Sequence, residues 1–175
     1  MEIYIIEDYK EKYQELKGRE LTDMLIKDCL REYGVDSPVI LRTAKGKPYL
    51  EEPFNFSAEC PLQEGPIHFS VSHSGNYFMC VISDKNVGID IQVQRKADTR
   101  KIAKRYFTAE EIQLIEDGDE EAFFYIWARK EAYSKYTGKG LQELMQGTSV
   151  LDRHDVEFID FQLEEGMWCS CCVEI

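Results

Sequence analysis

Two carboxylates stand in surroundings unusual for charge. Asp90 interrupts the apolar run Val87-Gly88-Ile89-Asp90-Ile91-Gln92, and Glu131 lies within Trp127-Ala128-Arg129-Lys130-Glu131-Ala132-Tyr133-Ser134-Lys135. Side chains alternate along a strand, so Asp90 and Gln92 share one face while Ile89 and Ile91 take the other. A carboxylate beside an amide oxygen is a hard-oxygen pair suited to Mg2+; a strand with one wet face is the plainer alternative. On a helix, Trp127, Glu131 and Lys135 are each four apart and share a face. Glu131 and Lys135 then read as an ion pair worth about 0.3–0.5 kcal/mol, or as part of a site, because that face runs from a large aromatic straight into charge.

Two further segments carry weaker signals. Ser70-Val71-Ser72-His73-Ser74-Gly75 ends an apolar strand, and a histidine among hydroxyls is able to donate to a phosphate oxygen. A solvated turn histidine is the plainer alternative, and no acid neighbour completes a nucleophilic triad. Lys45 and Lys47 flank Gly46, a non-specific phosphate signal.

The elements that must position these residues follow from periodicity. Residues 2–7 read as a strand. Residues 18–33 read as an amphipathic helix, with Leu21, Leu25, Cys29 and Leu30 on one stripe and Gly34 as its stop. Residues 39–42 read as a strand, 45–48 as a turn, and 51–66, which hold three of the five prolines, as irregular loop. Residues 67–72, 77–83 and 87–93 read as three strands, and their tight links predict an antiparallel meander. Thr108 with Glu111 makes a capping box for a helix to about Glu116. Residues 120–136 form the strongest helix pattern, closing at Gly138, and 156–163 with 167–174 read as a terminal hairpin.

A weak echo runs through the chain. Gly75-Asn76-Tyr77-Phe78-Met79-Cys80-Val81 resembles Gly166-Met167-Trp168-Cys169-Ser170-Cys171-Cys172, and each segment follows a helix and a Gly/Lys turn. This points to two similar halves with a cleft between them.

Composition bounds the rest. The chain has 175 residues, 43% of them hydrophobic, as suits a globular protein of one domain or two small halves. No apolar run approaches about 18 residues, so no membrane association is expected. The first residues lack the basic and apolar regions of a secretory signal. Six cysteines without Cys-x-x-Cys spacing are expected to be buried thiols in a reducing, cytoplasmic setting. A net charge of −12 argues against nucleic acid as a partner. Within 95–105, however, Arg95, Lys96, Arg100, Lys101, Lys104 and Arg105 face only Asp98. This stripe is either a solvated helix face or a dock for an acidic partner.

Val-Gly-Ile-Asp at 87–90 is followed, 41 residues later (131 − 90), by Glu131 within Trp-x-x-Lys-Glu-Ala-x-x-Lys. With Ser72-His73-Ser74-Gly75, Gly46-Lys47-Pro48 and Gly138-Lys139-Gly140 in order, the chain from Gly18 onward resembles the 4'-phosphopantetheinyl transferases. The closer likeness is to the type that activates nonribosomal peptide and polyketide synthases. The resemblance implies an α+β fold of two similar α/β halves, 1–94 and 95–175, forming one pseudo-two-fold unit with the active site in the cleft. It implies transfer of the 4'-phosphopantetheine arm of coenzyme A to a serine of an acidic apo acyl or peptidyl carrier protein by a monomeric enzyme. Asp90, Glu131 and Lys135 would be catalytic. Asp90, Gln92 and Glu131 would hold Mg2+, and Arg19, Lys47, Ser72, His73 and Lys135 would hold coenzyme A.

The chain departs from the family pattern twice. Gln92 stands where an acid is common, leaving one less negative charge on the metal. The segment before Gly18 is short, so Lys10 and Lys12 are candidates for the basic residues that grip the adenosine end. These departures keep open a non-catalytic homologue that binds only coenzyme A or a carrier; a metal-dependent phosphohydrolase is a further rival.

Overall fold

The computed structural model describes residues 1–58, 60–62, 64–94, 98–117 and 120–175. The chain divides into two compact units, Met1–Val87 and Gly88–Ile175.

In the first unit, β1 (Glu2–Glu7) leads through a single turn of helix, α1 (Tyr9–Lys12), to the long α2 (Gly18–Tyr33). Leu25, Ile26 and Leu30 of α2 are fully buried and share a core with Phe78, Cys80 and Ile82. This is the apolar stripe read from the sequence. The helix stops at Gly34, whose N–H donates to the carbonyls of Leu30 and Arg31 at 3.1 and 3.0 Å. Gly34 has φ 107, and a Cβ there would lie 2.6 Å from Cys60, so conformation and space both require glycine. Short strands follow: β2 (Val35–Asp36), β3 (Ile40–Arg42), β4 (Pro48–Leu50) and β5 (Asn55–Phe56). β2 pairs with β5, and β3 with β4 across the Gly46 turn. The loop expected over 51–66 thus contains one brief strand. β6 (His68–Ser74) and β7 (Tyr77–Ser83) form a hairpin with Ser72 opposite Met79. The three-stranded sheet has the order β1-β7-β6, and Tyr4 of β1 faces Cys80 of β7.

The second unit takes up β8 (Val87–Val93), then α3 (Thr99–Tyr106), α4 (Ala109–Asp117) and α5 (Glu120–Thr137). A 3-10 turn (Leu141–Gln146) precedes the hairpin of β9 (Val156–Phe161) and β10 (Met167–Glu174). Its sheet has the order β8-β10-β9, with Asp160 opposite Ser170. Helix α5 packs on β10, and Phe107 and Phe123 stack at 5.4 Å in the core beneath Trp127. The capping box at Thr108 forms as read: Thr108 N–H donates to Glu111 Oε2 at 2.8 Å, and Glu111 N–H to Thr108 Oγ1 at 3.3 Å.

Each unit by itself has its first strand, last strand and middle strand in that lateral order, with a long helix between the first strand and the hairpin. The α+β class is as expected. One expectation needs correction. The meander does not continue from β7 to β8: β1 occupies the free edge of β7, and β8 joins β10 in another sheet. The two compact units meet in the chain between Val87 and Gly88, at the start of β8. All six cysteines are buried thiols, and burial raises the pKa of Cys169 and Cys171 to about 12.

Candidate functional site

The site in the second unit is set by how closely one strand approaches one helix. A Cβ built on Gly88 would lie 2.1 Å from the Ala132 carbonyl oxygen and 2.4 Å from the Tyr136 nitrogen. Only glycine allows β8 to lie backbone-to-backbone against α5. Two residues along β8, Asp90 then meets the residues of that helix face. Lys135 Nζ donates to Asp90 Oδ1 at 2.7 Å and to the Ile89 carbonyl at 2.9 Å. Gln92 Nε2 donates to Asp90 Oδ2 at 2.6 Å, so the two polar residues of the strand share a face as the period required. Asp90 is only 3% exposed, and a carboxylate so buried is tolerable because a cation and an amide hold it. Each of its oxygens retains another lone pair.

Glu131 lies one helical turn before Lys135. Burial, and then the charge of Asp90, raise its pKa to about 7, against the opposing pull of Lys135. A carboxyl group with this pKa is about equally acid and base at neutral pH, the condition a proton-transfer group needs. Lys135 forms an ion pair across to Asp90 on β8. With Glu131 ionised, two carboxylates oppose one ammonium, and the locus carries excess negative charge. Among the described residues no group of three or more His, Cys, Asp or Glu is arranged to hold a metal. Asp90 and Glu131 thus offer two carboxylate donors with one amide beside them.

Asp90, Gln92, Glu131 and Lys135 are brought together on β8 and α5. The other expected residues belong to the first unit. Arg19 is exposed in the first turn of α2. Lys47 is half-buried at the β3–β4 turn, where desolvation lowers its pKa. Ser72 is buried near the end of β6, and His73 beside it is exposed with its ring 5.9 Å from Tyr9. Lys10, on α1, reaches the same end of the hairpin and donates to the Gly75 carbonyl at 3.3 Å. Lys12 instead pairs with Asp28 at 3.4 Å. Of the basic stripe, Arg100, Lys101, Lys104 and Arg105 are exposed on α3, while Arg95 and Lys96 lie outside the described residues.

Sequence reasoning passed over Lys130. It is wholly buried, as is Glu111, and the two form an ion pair at 2.8 Å. Lys130 also donates to the Thr148 carbonyl at 2.8 Å. The capping box named Glu111, but no local pattern ties it to a lysine on another helix.

A family model described as the 4'-phosphopantetheinyl transferase superfamily matches residues 86–172. That span includes β8 and α5, and so all four grouped residues. A 4'-phosphopantetheinyl transferase of Bacillus subtilis is 31% identical over 139 residues, 73% of this chain and 61% of the relative. The 4'-phosphopantetheinyl transferase Sfp of Bacillus subtilis strain 168 is 32% identical over 137 residues, 74% of this chain and 56% of the relative. The 4'-phosphopantetheinyl transferase gsp of Aneurinibacillus migulanus is 32% identical over 128 residues, 64% of this chain and 54% of the relative. The chain spans about 54 to 61% of the length of these relatives. The motif pair at Asp90 and Glu131, its meeting on β8 and α5, and a profile match over the same stretch converge on one assignment: the chain belongs to the 4'-phosphopantetheinyl transferase superfamily.

Proposed function

We propose that the chain transfers the 4'-phosphopantetheine arm of coenzyme A to a serine hydroxyl of an apo carrier protein. The observation that carries this reading is the meeting of Asp90, Glu131 and Lys135, two carboxylates and a cation, at the contact of β8 with α5.

A divalent cation suits this donor set. Mg2+ is commonly held by one or two carboxylates together with substrate phosphates and water, not by a cage of protein groups. Asp90 and Glu131 would hold it, with Gln92 contributing its Oε1, the amide atom not bonded to Asp90. When bound, the ion would neutralise charge on the diphosphate.

The residues of the chain do the rest. Glu131 accepts the proton of the incoming serine. The serine oxygen forms its bond to the phosphorus that bears pantetheine, and the bond from that phosphorus to the nucleotide phosphate oxygen breaks. Lys135, which holds Asp90 in this structure, would place its ammonium on the diphosphate as a charge clamp. The nucleophile comes from the carrier, so the reaction asks for no activated serine in this chain. Arg19, Lys47, Ser72 and His73 are proposed to hold the remaining phosphates of coenzyme A, with Lys10, which bonds the Gly75 carbonyl at the end of the His73 hairpin, as a further candidate. The exposed cations of α3 are proposed as the dock for an acidic carrier domain. We place the protein in the cytoplasm as a monomer; no helix among the described residues is long and apolar enough to cross a membrane.

The test is incubation with coenzyme A, Mg2+ and a panel of apo-carriers, read by intact mass. The expected result is a mass gain of one phosphopantetheine arm, lost when Mg2+ is chelated. Binding of coenzyme A without transfer to any carrier would instead assign a non-catalytic homologue, the reading that Gln92 in place of an acid favours.

A further inference from the structure

We infer that the buried pair of Lys130 and Glu111 is a positioning device for Glu131: it sets the rotation of α5 about its own axis. This rests on the proposed transfer reaction.

The buried residues of α5 include Phe123, Phe124, Ile126, Ala128, Ala132 and Tyr133, and they encircle the helix. No single apolar stripe distinguishes one rotation from the next, and hydrophobic contact is non-directional. Lys130 supplies the direction. Its ammonium must meet Glu111 Oε2 at 2.8 Å and the Thr148 carbonyl at 2.8 Å, with the Phe107 ring centroid 5.4 Å away.

Glu111 is anchored independently of Lys130. Its Oε2 accepts from Thr108 N–H at 2.8 Å and its Oε1 from Val150 N–H at 2.9 Å. The start of α4, the segment at 148–150 and α5 therefore meet at one node. Glu131 follows Lys130 directly, so a fixed direction for one side chain fixes the other. A buried pair of this kind adds little stability over apolar residues of the same size. What it adds is angular definition. An error of about 1 Å at a reacting group costs on the order of 100-fold in rate.

The test uses the full chain carrying Glu111→Gln with Lys130→Met, which keeps an acceptor and the lysine stem but removes both charges. Three quantities are read: the cooperative thermal transition, the affinity for Mn2+ by electron paramagnetic resonance, and kcat separately from carrier KM. The expected outcome is a folded protein with carrier KM within twofold, kcat lowered at least tenfold, and Mn2+ affinity weakened several-fold. A folded variant with kcat and Mn2+ affinity both within twofold of wild type overturns the inference.

Lys130→Arg is the second variant. It keeps the charge but moves the donor, and is expected to fold with the same two constants shifted. Wild-type values in Lys130→Arg overturn the inference, as does failure of both variants to fold, which would leave a plain stability role. Failure of wild type to modify any carrier would sink the transfer reading alone, since the Mn2+ comparison still judges the pair.

Discussion

Gly88 of β8 lies with its backbone against the carbonyl of Ala132 on α5, so closely that a Cβ would sit 2.1 Å from that oxygen. The glycine of the Val-Gly-Ile-Asp motif is thus a spacer, and its absent side chain is what delivers Asp90 to Lys135. Both clashing atoms belong to helix backbone and cannot turn aside. Gly88→Ala is therefore expected to lower stability by about 1–3 kcal/mol, as overpacking does. The urea midpoint measures that loss. Transfer activity is expected to fall further than the unfolded fraction explains, because the strand must move away from α5.

Glu131 gives the metal-free protein a specific pH response. Its folded pKa of about 7 stands above its ordinary value of 4.5. The folded state therefore binds this proton more tightly than the unfolded chain. The stability it contributes is complete below the ordinary value and is lost as pH rises through about 7. Glu131→Gln cannot ionise and escapes the loss. Thermal melts at pH 5 and pH 8 are expected to show the variant gaining on wild type at the higher pH. An equal difference at both values would mean that Glu131 is not perturbed. Transfer by this variant is expected to drop at least about 100-fold, the scale of a lost acid–base group.

Removing Lys130 alone should be far worse than neutralising the pair. Lys130→Ala strands the Glu111 carboxylate in a site that is 0% exposed. An unpaired buried charge of this kind costs about 3–5 kcal/mol. The variant is expected to melt well below wild type or to be isolated unfolded, as circular dichroism will show.

These residues also mark where sequence reading stops. Alternation within Val87–Val93 predicts a strand and puts Asp90 and Gln92 on one face, because a period of two needs only neighbours. The capping box at Thr108 and the glycine stop at Gly34 are equally local, and both form as read. Sheet membership is not local. The link at 84–86 is as compatible with a hairpin back onto β7 as with a departure, and the outcome depends on β1 claiming that edge. The burial of Lys130 is opaque for a related reason. A lysine is expected outside, and its partner Glu111 sits on another helix. The fold alone shows that Lys130 is buried against Glu111 and the Thr148 carbonyl.

The exposed face of α3 offers the clearest separation of substrates. Asp98 caps the helix, its carboxylate accepting from Lys101 N–H at 3.1 Å. Arg100, Lys101, Lys104 and Arg105 stand in solvent, so reversing two of them disturbs no core. Lys104→Glu removes favourable charge near the helix C-terminus, a penalty of about 0.3–1 kcal/mol at most, whereas Lys101→Glu puts an acid in the first turn, where the helix dipole favours it, so the fold is expected to survive both. If an acidic carrier docks here, its KM rises at least tenfold at low salt while the KM for coenzyme A stays unchanged. Rim charges act largely through encounter rate and are screened over about 10 Å at 0.1 M salt. Wild type and variant should therefore converge as salt increases. Equal carrier KM at low salt would place the dock on another surface.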